Sequence, residues 1–229
     1  MKKLIKLSLL AAAALSFIAC KGNDDPAPTP SAEPIISTSD IEALTEDGTI
    51  PDDLVDGNWT YQEIETAKSY RIHLDSDEYS SIGQTLTAEQ IATVSTWTDY
   101  DIDDDEYIIE LPIDKVIEST IYNITKSGET YTLTSGTMVV TITAANATVK
   151  SLINSWAALY NISISWNGDT TSSSNEMSAD EIQYLNTKMT HIIASASAIS
   201  WKTNEDKTKF YFKDDSDPDE VAEYIIVKK

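Results

Sequence analysis

Residues 107–143 read YIIELPIDKVIESTIYNITKSGETYTLTSGTMVVTIT, and this stretch decides the fold class. Tyr107, Ile109, Leu111 and Ile113 alternate with other residues at period two, the spacing of a half-buried strand. Segments Val116–Thr125, Thr130–Thr134 and Thr137–Thr143 follow, rich in Thr, Ile, Val and Tyr. Ser127-Gly128 and Ser135-Gly136 separate them as expected turns, so the stretch reads as an antiparallel meander.

Working outward, the same signals recur. Tyr70, Ile72 and Leu74 alternate with Arg71, His73 and Asp75. Ile162, Ile164 and Trp166 do the same. Ile199–Thr203 and Thr208–Phe212 flank a turn at Asn204–Lys207, and Val221–Val227 is a last strand. About three helices interrupt the strands. Capping boxes at Thr87-Ala88-Glu89-Gln90 and Ser178-Ala179-Asp180-Glu181 start two of them. Val149, Leu152, Ile153, Trp156 and Leu159 mark the third by helical periodicity. Strands and helices do not alternate regularly, which disfavours a doubly wound parallel sheet. The expected class is α+β, mainly antiparallel β, with the sheet barrel-like or sandwiched.

The leading residues differ in kind. Lys2, Lys3 and Lys6 precede an uncharged run from Leu7 to Ala19. That run is too short to span a bilayer and has the length of a signal-peptide core. It ends Phe17-Ile18-Ala19-Cys20 and then turns abruptly polar. This segment resembles the lipobox of bacterial lipoproteins, with Phe17 where Leu is usual, a looseness seen in spirochaete-type sequences. Lys21 followed by Asp24-Asp25 resembles the acidic export signal of Bacteroidetes surface lipoproteins. The resemblance implies cleavage before Cys20, acylation of that cysteine, and residence at the outer membrane or cell surface rather than the inner membrane. Two or more acyl chains make such attachment stable.

Residues 20–50 read as an acidic tether, with Pro26, Pro28, Pro30 and Pro34 favouring extended chain. Residues 51–229 then form a single domain, and residues 1–19 the leader. A short helix is expected near Ile41–Leu44. The whole chain has 38 acidic and 16 basic residues, a net charge of −22. The leader holds three lysines and no acid, so the remainder is more negative still. Such a charge argues against nucleic acid as partner, which demands a basic face. A single cysteine excludes an internal disulfide framework and a zinc–thiolate cluster.

Chemistry-bearing motifs are few. Asp101, Asp103 and Asp105 offer oxygen at alternate positions, as a calcium ion would require. Glu106 stands where an EF-hand turn needs Gly, and Pro112 where it needs Glu, so the site would be an irregular calcium site. The run Asp214–Glu220 reads as a solvated turn in which Pro218 could start a short helix. His73 falls on the polar side of its strand, and His191 among apolar neighbours as a packed residue. No G-x-S-x-G or H-E-x-x-H motif is present. Gly57-Asn58-Trp59 resembles the G-x-W of lipocalins, which implies a small apolar ligand carried near Trp59. The expected function is a lipid-anchored, non-enzymatic binding or structural module with no cofactor beyond that calcium. A lipocalin-like carrier and a hydrolase using carboxylates or serine stand as alternatives.

Overall fold

The computed structural model describes residues 32–229 apart from positions 163 and 218. The lipobox, Cys20 and the proline-rich segment up to residue 31 lie outside the described residues. Among the described residues, no helix is long and apolar enough to cross a membrane.

Among the described residues, ten strands form one antiparallel sheet. In chain order they are β1 (Glu46–Gly48), β2 (Gly57–Leu74), β3 (Thr98–Asp101), β4 (Glu106–Ser127), β5 (Thr130–Thr143), β6 (Trp166–Asn167), β7 (Thr170–Glu176), β8 (Trp201–Thr203), β9 (Lys209–Asp217) and β10 (Glu220–Lys228). The spatial order is β1-β8-β9-β10-β2-β4-β5-β7-β6, and β3 pairs with the first part of β4. The sheet does not close, so the barrel expectation is corrected: the end strands β1 and β6 do not meet. With 18 and 22 residues, β2 and β4 far exceed a usual strand of about 5–6 residues. They pair along nearly their whole length, with a register shift between Ala67 and Ser69. Such a bulge bends a strand and raises its twist.

Among the described residues, six helices rather than about three accompany the sheet: α1 (Thr38–Glu42), α2 (Ser76–Thr85), α3 (Ala88–Val94), α4 (Ala147–Leu159), α5 (Ala179–Asn186) and α6 (Met189–Ser195). The expected boxes at Thr87 and Ser178 cap α3 and α5, and Asn146 caps α4. Sequence reading passed over α2, although Asp75 and Glu78 form its capping box. Two further expectations change. Ser135-Gly136 is no turn, since β5 runs straight through it beside a bulge opposite Asn123. Ile162 and Ile164 belong to no strand, and only Trp166–Asn167 pairs.

Alternation along β2 and β4 assigns the two faces. Trp59 and Tyr61 join Tyr122, Ile124, Phe210 and Ile226 in one apolar cluster, over which Leu185 of α5 and Met189 and Ile193 of α6 pack. Past the bulge, Ile72, Leu74, Ile109 and Leu111 form a second cluster with Val116 and Ile142, closed by α4 through Val149, Leu152, Ile153 and Trp156. Ala67 packs against this second cluster and Tyr61 lies in the first, so both occupy one face of the sheet, here the helical face.

The back face carries a smaller cluster of Ile36, Leu44, Ile64 and Ile225. Residues 33–50, read as tether from composition, therefore belong to the folded unit. Their acids explain how. Asp40 pairs with Lys209 at 2.6 Å, Asp47 with Lys202 at 2.6 Å, and Asp53 with Lys207. The acidic lead-in is drawn onto the lysines of β8, β9 and the turn between them, while Ile36, Leu44 and Ile50 bury beneath it.

Candidate functional site

Between the two apolar clusters of the helical face lies a short polar span. On β2 it consists of Glu63 and Glu65. Register places Thr120 of β4 and Tyr224 of β10 opposite Glu63, and Glu118 of β4 and Ala222 of β10 opposite Glu65. Glu220 is opposite Ala67, one step further along β10. Four carboxyl groups thus share one patch of sheet, and Glu65 directly faces Glu118. Like charges in that relation repel.

Burial sharpens the repulsion. Removal from water, with Glu65 nearby, raises the Glu63 carboxyl from the ordinary 4.5 to about 8. Burial, then Glu65 and Glu220, raise that of Glu118 to about 7. At neutral pH the Glu63 carboxyl is therefore largely protonated and that of Glu118 about half so.

Tyrosines border the acids. The rings of Tyr61 and Tyr122 stack at 5.5 Å with planes 14° apart. Phe212 and Tyr224 stack at 5.8 Å. Only 7% of Tyr61 is exposed, and its hydroxyl is buried with no hydrogen-bond partner. Burial and then the neighbouring Glu63, two residues along the same face of β2, hold that phenol well above its usual range. The Oε1 atom of Glu63 is likewise buried and unpartnered. Native interiors rarely leave such atoms unsatisfied.

The residues singled out from sequence lie elsewhere. Asp101, Asp103 and Asp105 sit in the hairpin joining β3 to β4. Asp101 accepts from the backbone N–H of Asp103 at 2.9 Å, and Tyr100 donates its hydroxyl proton to Asp105. The oxygens that converge there belong to Asp101, Asp104 and Glu106, within 4.8 Å of one another. Asp103 and Asp105 are not in that group. Glu106 also meets Nδ1 of His73 at 2.8 Å. Asp214–Glu220 forms the β9–β10 hairpin end, with β9 continuing to Asp217 and β10 starting at Glu220; position 218 is outside the described residues.

Trp59 is 2% exposed and donates from Nε1 to the Val55 carbonyl at 3.0 Å. It borders an open groove of about 390 Å³ whose other walls include Asn58, Asn123, Thr125 and Lys229. That groove is polar. An apolar cavity lined by Tyr70, Ile142 and Trp156 holds only about 30 Å³, the share of one water molecule. His191 is exposed on α6, not packed as its neighbours suggested. His73 belongs to the β3–β4 end of the sheet and His191 to the helices over the other cluster, so the two do not share a site.

The chain matches no protein-family model, no curated protein and no solved structure. Function must therefore be argued from its own residues. The Glu63–Glu118 patch was missed from sequence because Glu residues on a strand read as solvent-facing. The one signal available was the failure of β2 to alternate between Trp59 and Ala67.

Proposed function

We propose that the protein is a lipid-anchored binding module of the bacterial envelope, held through Cys20 and binding its partner on the helical face at Glu63, Glu65 and Glu118. The buried, unpartnered oxygens of Tyr61 and Glu63 carry the binding part of this reading, since a stable fold gains nothing by leaving them unmade. The lipobox-like Phe17-Ile18-Ala19-Cys20 supports the anchoring part. The chain enters the domain on the opposite face, where Gln62 binds the Glu33 carbonyl, so the acid patch is clear of the entry point. Residues 21–31 could extend at most about 40 Å between Cys20 and the domain. An open sheet and a water-sized apolar cavity offer little to a lipocalin-like carrier.

Replacing Cys20 by Ser in the full chain tests the anchor. Expected results are loss of radiolabelled palmitate incorporation and release from the membrane fraction. Continued labelling would overturn it. Biotinylation of intact cells with an impermeant reagent separates the cell surface from the inward-facing leaflets.

A further inference from the structure

We infer that the acid patch of the helical face takes an aliphatic primary ammonium group, seated between Glu63 and Glu118 and against the tyrosine rings. The inference rests on the reading that this face is the binding surface, and names the ligand class.

Three observations converge. First, the unmade groups are acceptors of positive charge. Glu63 Oε1 lies buried without a donor, and two residues along the same face Tyr61, more than nine-tenths buried, has its hydroxyl without a partner and within the field of Glu63. A phenolic oxygen and carboxylates together accept the three N–H bonds that an ammonium donates. Second, the spacing suits an organic cation rather than a metal ion. A calcium ion needs oxygens converging at about 2.3–2.6 Å from one centre. Among the described residues, the triads that bring carboxylate oxygens within 4.8 Å of one another do not include Glu63, Glu65 or Glu118. The acids are instead spread over two strands, Glu65 opposite Glu118 and Glu63 one step along. Third, the borders are aromatic. The stacked pairs Tyr61–Tyr122 and Phe212–Tyr224 lie on either side of Glu63 in the register. Ring faces attract a cation when water is excluded, and apolar clusters on both sides accommodate an aliphatic stem. The high proton affinity of Glu63 agrees, because no positive group among its named neighbours lowers it.

The experiment is calorimetric titration of the full chain in detergent at pH 8, with three probes: spermidine, a trilysine peptide and calcium chloride. Spermidine or trilysine is expected to bind saturably below about 1 mM. Tighter binding of spermidine assigns the ammonium to a free amine, and tighter binding of trilysine to a peptide side chain. Glu63→Gln should weaken the better probe by about tenfold or more, and Tyr61→Phe by roughly threefold. Asp103→Asn, a change of equal charge in the exposed hairpin, should alter it less than about twofold. Far-ultraviolet circular dichroism and thermal melts confirm that each variant is folded. The proposal is overturned if neither amine binds to the folded protein, if Asp103→Asn weakens binding as much as Glu63→Gln does, or if calcium displaces the amine. The Cys20→Ser experiment has its own readout, so loss of one reading leaves the other standing.

Discussion

Gln62 and Glu63 are neighbours on one strand, facing opposite sides of one sheet, and their polar atoms are treated in opposite ways. Gln62 is fully buried on the back face. Its Nε2 donates to Ser119 Oγ at 2.8 Å and to the Glu33 carbonyl at 2.9 Å, and its Oε1 accepts from the Ile35 N–H at 2.7 Å. Both donors and the acceptor oxygen are engaged, and the effect is to fasten the entering chain. Glu63 is half-buried on the helical face, its Oε1 atom out of water and without a partner, beside a buried tyrosine whose hydroxyl is in the same condition. Gln62 is the more deeply buried of the two, yet it is the one whose polar atoms are bonded, so depth of burial does not explain the difference. The back face is complete within this chain, whereas the helical face has unmade bonds that a ligand could complete.

The largest expected effect tests this contrast through pH. The Glu63 carboxyl titrates near 8 in the folded protein and near 4.5 when unfolded. Between those values the folded form holds a proton that the unfolded chain has lost. Stability is therefore highest below about pH 4.5 on this account, falls as pH rises towards 8, and levels off above it. The shift corresponds to a loss on the order of 4 kcal/mol. Glu118 adds to it in the window from 4.5 to about 7. At the acid end the sign reverses. Lys209 and Lys207 hold Asp40 and Asp53 below their usual range, so that stabilisation is lost as pH falls below about 4. Both carboxylates are partly open to solvent, which screens their ion pairs and keeps their share small. Urea unfolding from pH 3 to pH 9 should show a maximum at about pH 4, and Glu63→Gln should flatten the alkaline side. Stability that is constant or rising between pH 5 and 8 would remove the claim that these acids are desolvated.

A smaller effect is expected on the back face. Gln62→Ala leaves the Ile35 N–H and the Glu33 carbonyl without their partner and opens space beside Ser119. The cost should be about 3 kcal/mol, independent of pH between 5 and 8. Hydrogen exchange should localise the loss to residues 33–44, which Gln62 and the Ile36–Leu44 cluster hold. Uniform exchange along the chain would mean that Gln62 supports the sheet rather than the docked segment.

How far the sequence revealed this follows from how many faces of each element are covered. Capping boxes at Thr87 and Ser178 are local chemistry and were legible. Hairpins such as β8–β9 were legible from turn residues. The half of β2 from Tyr70 to Leu74 alternates clearly, since its other side carries Arg71 and the half-exposed His73. The half from Trp59 to Ala67 is covered on both sides, by the helical-face cluster and by residues 33–44, so its period-two signal disappears. Gly136 misled for a different reason. A Cβ there would lie 2.2 Å from Sδ of Met177, so the glycine serves close approach inside a strand and not a turn. In the acidic hairpin, alternate spacing does not pick out the oxygens that converge: Asp101 accepts from the N–H of Asp103, and the turn brings Asp104 and Glu106 to it rather than Asp103 and Asp105. The acid patch depends on register between β2, β4 and β10, which pairs Glu65 with Glu118 and Glu63 with Tyr224 far along the chain, and local pattern carries no such information.

The smallest effect is the most discriminating. Tyr61→Phe removes one hydroxyl from a ring that otherwise keeps its stacking on Tyr122. Had the hydroxyl been bonded like the polar atoms of Gln62, its loss would cost about 1 kcal/mol. Because it is buried without a partner, the free protein should be unchanged or gain up to about 1 kcal/mol, the desolvation penalty no longer being incurred. The same variant should bind the ammonium probe less well. Opposite signs for stability and affinity from a single atom are what an unfinished face predicts. A loss of stability in the ligand-free protein would show that the Tyr61 hydroxyl already has a structural partner, and the helical face would then be as complete as the back.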